Sequence, residues 1–325
     1  MPQRLNRRGF LTAAGAATLL AVGIAESTAA CSSDKSGDDT PAAGPVTIAH
    51  LFGETTVPEP PKRVVCAGYT GQDDLLALGV IPVAVTNWFG DQPFAVWPWA
   101  QQRLGSAKPA VLNLDNGIAV QQIADLKPDL IIATNAGVDA DTYEKLSAIA
   151  PTVPQSGGDA FFEPWKVQAA AIGKAVHQSA AMRTLIDGVD TTFADTAAAH
   201  PGFKGKRALV LAGRLDGGPE NRAVAASTGW RTEFLTQWGL SAADAPAVIE
   251  HDRIGSVLGG ADVLIWTTES DDERQGLLAD PAVAAYESRS VFTSKDLAGA
   301  IAFASPLSYP VVAAQLPELI ARITG

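Results

Sequence analysis

The sequence predicts an α/β protein whose two open αβ halves are joined by one long helix. Three observations lead to this fold class. From residue 63 onward, short continuous apolar runs alternate with helical patterns, which indicates parallel sheets covered by helices on both faces. A helical pattern without internal proline fills residues 165–199. The chain has 325 residues, of which 47% are hydrophobic and 18% charged, enough for two cores at about 150 residues per domain.

The first thirty residues are typical of an export signal. Residues 6–11 (NRRGFL) form a twin-arginine pattern, and a mildly apolar stretch rich in Ala and Gly follows. Residues 28–31 (TAAC) resemble a lipoprotein cleavage box, so we expect lipidation of Cys31. Simple cleavage at a small-x-small site, without lipid, is the alternative. Residues 31–45 are polar and contain Gly and Pro, which predicts a flexible tether.

These features predict export by the twin-arginine route and lipid anchoring to the outer face of the cytoplasmic membrane. A diacyl anchor supplies the two chains that stable attachment needs. No stretch after the leader reaches the roughly 18 consecutive apolar residues of a spanning helix. Loss of residues 1–30 removes Arg4, Arg7, Arg8 and Glu26, which takes the formal net charge from −11 to −13. A chain this acidic, without a long basic run, is unsuited to binding nucleic acid.

The N-terminal half, residues 46–160, alternates short buried strands with helices. Strand patterns lie at 63–68 (RVVCAG), 82–86 (PVAVT), 130–134 (LIIAT) and 152–153. Helical patterns lie at 73–78, 119–127 and 139–149. Because the strand runs are continuously apolar, we expect them to form a parallel sheet that is buried on both faces.

Residues 161–202 predict the long connecting helix. Apolar residues recur there near helical spacing, and Pro164 suits the first helical turn. The pair Pro201-Gly202 stops the pattern. About 36 residues at 1.5 Å each would make a rod of roughly 54 Å. Gly173 and Gly188 are its weakest points, because glycine is a poor helix former.

The C-terminal half, residues 203–325, repeats the order of strand, helix and strand. Strand patterns lie at 207–213 (RALVLAG), 262–267 (DVLIWT) and 291–293. Helical patterns lie at 232–239, 252–258 and 305–323. The duplication is one of architecture, since no repeat is visible at the level of residues.

Several segments carry a resemblance to a known family. Residues 126–137 (LKPDLIIATNAG) resemble the helix-to-strand element of substrate-binding proteins of ABC importers, in the ferric-siderophore and cobalamin group with the class III periplasmic-binding-protein architecture. Residues 60–85, 259–268 and 298–320 are similar to other elements of that family, and residues 87–100 (NWFGDQPFAVWPWA) to mycobacterial-type iron-siderophore-binding lipoproteins. The resemblance covers about residues 46–325. It implies capture of a chelate between the lobes, delivery to an ABC permease, and a helical strut that limits closure. We expect a monomer.

Candidate ligand-binding residues follow the predicted strands, because ligands of open αβ sheets sit at the carboxyl ends of the strands. All are aromatic or cationic: Tyr69, Trp88, Phe89, Trp97, Trp99, Arg214, Arg222, Trp230, Lys295 and Phe303. Such side chains suit a bulky, partly anionic Fe(III)-siderophore. Arg214 is the best candidate cation, and its alternative is a salt bridge at the rim. For each Trp the alternative is core packing or a loop plug.

Permease docking is a second expectation. The resemblance implies one carboxylate on each lobe that meets arginines of the permease. Asp252 matches the position in the second lobe, and Glu250 is the fallback. The matching residue of the first lobe is Gln121, which departs from the family's pattern. A helix cap is the alternative role for Asp252.

Other functions compete with ferric-siderophore capture. A haem carrier is the main alternative, with Tyr69 as a conceivable axial ligand, and cobalamin binding is a lower one. Capture of a bare metal ion needs clustered ligands, but the four His residues are scattered along the chain. We expect no intrinsic cofactor.

An enzyme and a structural interaction protein are the hypotheses from other classes. No Gly-x-Ser-x-Gly, His-Glu-x-x-His or phosphate-loop pattern occurs in the chain. Asp73 and Asp74 occupy adjacent positions of a predicted helix, so they point in different directions and suit a helix cap better than a catalytic pair. The sequence therefore favours a binding protein over an enzyme.

Overall fold

A computed structural model describes residues 44–158, 161–217 and 222–324. Over these ranges the chain builds two separate parallel sheets with helices packed on them. The α/β class that the alternating apolar runs predict is confirmed. The predicted export signal, Cys31 and most of the tether lie outside the described residues. None of the described helices is both long and apolar enough to cross a membrane.

The N-terminal half consists of a hairpin followed by a five-stranded sheet. The hairpin pairs β1 (Val46–His50) with β2 (Gly53–Val57). The sheet has the spatial order β5-β4-β3-β6-β7, with all strands parallel. Its strands are β3 (Val64–Cys66), β4 (Ala84–Thr86), β5 (Ala110–Leu112), β6 (Leu130–Ala133) and β7 (Thr152–Pro154). The helices between them are α1 (Gly71–Ala77), α2 (Pro98–Leu104), α3 (Val120–Asp125) and α4 (Ala140–Ser147).

The connecting segment is two helices rather than one straight rod. α5 (Trp165–Ala175) and α6 (Ser179–Ala199) are separated by three residues, and His177 among them has a φ of 60°. Gly173 explains how closely the helices meet. A Cβ atom at this position would lie only 2.5 Å from the Cβ of Met182 in α6. The glycine that weakens a helix is therefore the residue that lets α6 pack on α5.

The C-terminal half contains a second, four-stranded parallel sheet, with the order β10-β8-β12-β13. Two further strands pair antiparallel as a small ribbon, β9 with β11. The strands are β8 (Arg207–Ala212), β9 (Ala223–Ala225), β10 (Ser241–Ala242), β11 (Val248–Glu250), β12 (Val263–Thr267) and β13 (Ser290–Phe292). The helices are α7 (Glu233–Gln237), α8 (His251–Gly259), α9 (Asp271–Leu278), α10 (Pro281–Ala284), α11 (Lys295–Phe303) and α12 (Tyr309–Thr324). The terminal helix thus begins later than predicted, and α11 precedes it.

The two sheets share a device at the beginning of their first strands. The carboxylate of Asp129, just before β6, accepts hydrogen bonds from the backbone N–H groups of Lys62 and Arg63 at 2.8 Å. The carboxylate of Asp262, just before β12, accepts one from the N–H of Arg207 at 2.8 Å. In each case the aspartate fixes the start of the neighbouring strand. The duplication therefore extends to individual residues.

A second shared device lies at the other end of the same strands. Gly68 follows β3 and Gly213 follows β8. A Cβ atom at either position would collide with the carbonyl oxygen of a threonine on the neighbouring strand, Thr134 or Thr267. Glycine is required by this close approach of two backbones. Both glycines stand where the chain leaves the sheet toward the candidate site.

Candidate ligand-binding site

A partly enclosed cavity of about 230 Å³ lies beyond the carboxyl ends of strands from both sheets. The N-terminal half contributes Trp88 and Phe89, which follow β4, and Phe162 lines the same cavity after β7. The C-terminal half contributes polar and small residues and two large apolar ones: Ser227, Arg231, Thr267, Glu269, Ala298, Ala302 and Ala304, with Trp230 and Ile301. A concave, largely apolar pocket with a few polar groups is the usual form of a small-molecule site.

Eight aromatic rings form one continuous group next to this cavity, which we call the aromatic cluster. Neighbouring ring centroids within it lie 4.6 to 6.4 Å apart. Its members are Tyr69, Trp88, Phe89, Trp97, Trp99, Phe161, Phe162 and Phe303. The sequence singled out six of these residues but not Phe161 or Phe162, because both lie beyond a strand that was predicted only as a two-residue fragment.

The front of the aromatic cluster is its part at the cavity, and Trp88 is at its centre. The Trp88 ring stacks on Tyr69 at 5.5 Å, lies 5.0 Å from Phe162 and meets Phe89 edge-on at 4.6 Å. Trp88, Phe89, Phe162 and Tyr69 are all partly exposed. The structure therefore brings the predicted residues Tyr69, Trp88 and Phe89 together with their ring surfaces within reach of a ligand.

The back of the aromatic cluster lies beneath this surface. Trp97 is only 1% exposed and stacks on Trp99 at 5.1 Å with an interplanar angle of 8°. Phe303 is also buried, at 5.9 Å from Trp97. A Cβ atom added at Gly90 or at Gly299 would lie 2.5 Å from the Trp97 ring. Trp97 thus fills a slot between a loop of the N-terminal half and helix α11, and it does not line the cavity. This is the core-packing alternative that the sequence left open.

A buried carboxylate holds the back of the cluster in place. The Oδ2 atom of Asp73 accepts hydrogen bonds from Trp99 Nε1 and from Ser305 Oγ, each at 2.7 Å. Ser305 belongs to the link between α11 and α12, so this oxygen ties the two halves together. Burial raises the pKa of Asp73 to about 6, against the lowering effect of both hydrogen bonds. Asp74 is equally buried, and burial raises its pKa well above the ordinary range, while a hydrogen bond from Gln168 opposes the rise. The two residues are therefore part of an interior seam.

The cation at the cavity is Arg231, which sequence reasoning missed. Its guanidinium carbon lies 4.2 Å from the centroid of the Phe162 ring and 5.8 Å from that of Trp230. Burial lowers the pKa of Arg231, and the arginine forms no ion pair within the described ranges. Trp230 lines the cavity as predicted and donates from Nε1 to the carbonyl oxygen of Phe162 at 2.8 Å.

The other predicted cations lie elsewhere. Arg214 is 71% exposed and pairs with Asp216 at 3.1 Å, which is the rim salt bridge named as its alternative. Arg222 contacts the buried carboxylate of Asp280 at 3.3 Å, away from the cavity lining. Lys295 begins helix α11 and does not line the cavity. These three positions were not distinguishable from Arg231 in the sequence, because residue type and distance from a strand end do not determine where a loop side chain points.

Glu269 is the acidic residue of the cavity wall, and it too was missed. It is half-buried, two residues beyond the carboxyl end of β12. Burial and then the charge of Glu273 raise its pKa, while Lys295 and Arg214 oppose the rise. The rule that ligands bind at the carboxyl ends of strands points to this position as directly as to Arg214. The cavity therefore carries charges of both signs.

The predicted docking residues are accessible. Asp252 lies in the first turn of α8, and Glu250 is the residue that precedes this helix; both are exposed. In the N-terminal half, Gln121 is exposed on α3 and donates a hydrogen bond to the Oδ1 atom of Asp125 at 2.9 Å. The helix with the mismatched glutamine thus carries an exposed carboxylate one turn further on.

Among the described residues, no three His, Cys, Asp or Glu side chains are grouped so that they could hold a metal ion. Cys66 is a buried free thiol, and burial raises its pKa to about 12. Among the described residues, the site thus offers aromatic surface, the Arg231 guanidinium group, the Glu269 carboxylate and the hydroxyl groups of Ser227 and Thr267.

Comparison with known proteins agrees with this geometry. The model of the periplasmic binding protein family matches residues 64–297. A periplasmic solute binding protein from Mycobacterium smegmatis str. MC2 155 is 62% identical, with a TM-score of 0.84 over 87% of this chain and 99% of that one. PiaA from Streptococcus pneumoniae TIGR4, in complex with ferrichrome, is 21% identical and shares the fold, with a TM-score of 0.69 over 86% of this chain and 98% of that one.

One curated relative is also similar in sequence. The probable siderophore-binding lipoprotein YfiY of Bacillus subtilis (strain 168) is 36% identical over 129 residues, which is 38% of this chain. The chain spans 38% of the length of YfiY in this match.

Proposed function

This chain belongs to the periplasmic binding protein family, and on that premise we propose that it captures a ferric siderophore in its cavity and delivers the chelate to an ABC importer. The members of this family are substrate-binding transport proteins rather than enzymes. The relatives named above include a siderophore-binding lipoprotein and a protein in complex with ferrichrome.

The observation that carries the proposal is that the front of the aromatic cluster and Arg231 line one cavity. Trp88, Phe89 and Phe162 offer ring faces and edges to a bulky ligand, and Arg231 offers N–H donors to the oxygen atoms of a chelate. Aromatic side chains supply large contact area, and charge-assisted hydrogen bonds to oxygen supply orientation. A bare ion would need clustered ligands instead.

Export and anchoring extend the proposal. The twin-arginine pattern at residues 6–11 and the cleavage box at 28–31 support a lipid-anchored protein at the outer face of the cytoplasmic membrane. The polar residues that follow Cys31 would serve as its tether. In this arrangement the two αβ halves act as the lobes of the binding protein.

Docking to the permease is proposed to use one carboxylate from each half. Asp252 is the candidate in the C-terminal half, with Glu250 beside it. In the N-terminal half Gln121 cannot carry the charge, and Asp125 on the same helix can take its place. Reversal of charge at Asp252 and Asp125 should lower uptake of the chelate by cells without changing its affinity for the purified protein.

The direct test is a titration of the purified chain without its leader. Ferrichrome, a ferric tris-catecholate, haem and cyanocobalamin are added separately, and the tryptophan fluorescence and the heat of binding are recorded. We expect saturable quenching by at least one ferric siderophore, because Trp88 lines the cavity. The iron-free siderophores are the matched controls for inner-filter effects.

Two outcomes would contradict the proposal. Saturable binding of haem with a shifted Soret band, without binding of any ferric siderophore, would favour the haem carrier. Native mass spectrometry of protein isolated from its own host would then be expected to show haem rather than an iron chelate. Binding of cyanocobalamin alone would favour the lower alternative.

A further inference from the structure

Resting on the proposed function, we propose that the cavity selects a ferric chelate of low net charge that bears a cationic arm, and that Glu269 receives this arm. The ligand is therefore expected to be a neutral chelate of the hydroxamate type rather than the partly anionic siderophore expected from the sequence.

The position of Glu269 makes its carboxylate accessible to a ligand in the cavity. Its side chain lines the cavity together with Trp88, Phe89 and Arg231. Within the described ranges the Glu269 carboxylate forms no hydrogen bond or ion pair. Only the backbone N–H of Glu269 is engaged, and it donates to Glu273 Oε2 at 2.6 Å. A half-buried acceptor without a partner at a cavity wall can bind a donor from the ligand, because both groups are desolvated together.

Charges of both signs lie near the Glu269 carboxylate. Lys295 and Arg214 are close enough to lower the pKa of Glu269, whereas Glu273 and Asp91 raise it. The two bases and the two acids oppose each other, and Arg214 is already paired with Asp216. Arg231 is then the one cation, and Glu269 the one carboxylate, among the described residues that line the cavity. These described residues have no excess of positive charge to offer a polyanion.

The net charge of a ferric chelate depends on the groups that hold the iron. Iron(III) held by three catecholate groups is a trianion, whereas iron(III) held by three hydroxamate groups is neutral, because each hydroxamate carries one negative charge. A trianion in the cavity would lie against Glu269, and like charges brought together at an interface repel each other. A neutral chelate avoids this repulsion, and an appended ammonium gains a charge-assisted hydrogen bond.

Arg231 and Glu269 can contact different parts of the ligand. Arg231 lies over the Phe162 ring at 4.2 Å, so it can donate to the oxygen atoms of a chelate that rests on the aromatic front. Glu269 follows β12 of the C-terminal sheet and has no described side-chain partner, so it is left for the periphery of the ligand. The pair would thus recognise the two ends of one dipolar ligand.

The test uses a matched pair of ligands. Ferrioxamine B is a ferric trihydroxamate with a free terminal ammonium, and its N-acetylated form is the same chelate without that charge. We expect the wild-type protein to bind ferrioxamine B more tightly than the acetylated form. In Glu269→Gln the affinity for ferrioxamine B should fall by about tenfold, and the affinity for the acetylated form should change by less than about twofold. The affinity for a ferric tris-catecholate should rise.

Asp91→Asn is the matched control. It removes a negative charge that acts on Glu269 but does not line the cavity. Its effect on ferrioxamine B should be small and should vanish at high salt, because it acts through solvent. The effect of Glu269→Gln should persist at high salt. Unfolding of both variants should match the wild type, since no described side chain bonds to the Glu269 carboxylate.

The inference and the proposed function fail in different ways. An equal change for ferrioxamine B and its acetylated form in Glu269→Gln would overturn the role of Glu269 and leave siderophore capture intact. Tighter binding of the tris-catecholate than of both hydroxamates by the wild-type protein would overturn the charge preference. Absence of binding by every ferric chelate would overturn the proposed function and the inference with it.

Discussion

Trp88 and Trp97 lie nine positions apart in one segment, yet they have different environments. Trp88 is partly exposed at the front of the aromatic cluster, where it lines the cavity. Trp97 is buried at the back, between Gly90 and Gly299, where no ligand reaches it. Both rings belong to the same continuous group of stacked and edge-on contacts. The contrast shows that residue type favours a place in the cluster, whereas burial decides whether a ring lines the cavity or supports the rings that do.

The two parts are also stabilised differently. The back is tied to a buried carboxylate, since Trp99 and Ser305 both donate to Asp73 Oδ2. The front is held mainly by ring contacts and by Arg231 over Phe162. A rigid, buried base beneath an accessible aromatic surface is what preorganised binding requires. Variants of the back should therefore change stability, and variants of the front should change affinity.

The largest effect is expected for Trp97→Ala. Removal of a fully buried tryptophan leaves a cavity and costs about 3–5 kcal/mol of unfolding free energy. Urea unfolding followed by circular dichroism measures this cost. Trp88→Ala is the matched variant, and its cost should be about 1 kcal/mol. Equal losses of stability in the two variants would contradict the division into front and back.

The next effect concerns pH and Asp73. With its pKa raised by burial to about 6, the folded protein keeps a proton that the unfolded chain releases near pH 4. Stability should therefore fall as the pH rises from about 4 to about 6, by on the order of 3 kcal/mol from this group. Asp73→Asn keeps an oxygen acceptor for Trp99 and Ser305 but has no proton to lose, so this part of the slope should disappear.

The measurement is the unfolding free energy at pH 4.5 and pH 7.5 for both proteins. Asp74 is buried beside Asp73, and the Asp73 charge is one cause of its raised pKa, so Asp74→Asn is measured as well to separate the contributions of the two coupled carboxylates. Asp141→Asn, at an exposed position of α4, is the control and should keep the wild-type slope. An unchanged slope in Asp73→Asn would show that Asp73 does not titrate in this window.

A smaller loss is expected for Gly299→Ala. The added Cβ atom would lie 2.5 Å from the Trp97 ring, and overpacking of this kind costs about 1–3 kcal/mol. Gly276 is an exposed glycine within α9 and has nothing within 4 Å of a new Cβ atom. Gly276→Ala should therefore stabilise slightly, because alanine favours a helix more than glycine. In a Trp97→Phe background, part of the stability lost through Gly299→Ala should be recovered. Thermal unfolding compares the wild type with Gly299→Ala, Gly276→Ala, Trp97→Phe and the double variant.

The smallest effect on folding, and the one specific to the front, is expected for Trp88→Ala. Its loss of stacking area should weaken binding of a ferric siderophore by about 10- to 100-fold, as for other aromatic anchors. Isothermal titration measures this directly and does not depend on the fluorescence of the removed ring. Trp266→Phe, in the core of the C-terminal sheet, is a control that should leave affinity unchanged. A Trp88→Ala variant with wild-type affinity would show that the front does not contact the ligand.

Most strands of the two parallel sheets were predictable because their residues are buried on both faces, but β5 and β10, which are partly or fully exposed, were not predicted. β3, β6, β8 and β12 all lie within the continuous apolar runs that the sequence displays. The hairpin of β1 and β2 and the ribbon of β9 and β11 were not predicted. These strands are short and partly polar. Such strands form because a partner strand pairs with them, and their own hydrophobic pattern is too weak to predict them.

The candidate site was predictable in kind but not in detail. The rule of carboxyl strand ends led to Tyr69, Trp88, Phe89 and Trp230, which gather at or beside the cavity. It selected Arg214 as the cation, but the guanidinium at the cavity is that of Arg231. Both arginines lie in loops or short turns, where side-chain direction depends on what packs underneath.

The sequence by itself determined the α/β class, the two sheets, the segment that connects them and the aromatic character of the site. These follow from local hydrophobicity, periodicity and residue type, which each stretch carries independently of the rest. Only the tertiary structure decided that Trp97 supports while Trp88 faces the cavity, that Asp73 is sealed between the halves, and that Arg231 and Glu269 share one wall. The physical reason is that burial and charge environment are set by residues distant in sequence, such as Ser305 and Gly299, whose approach no local pattern records.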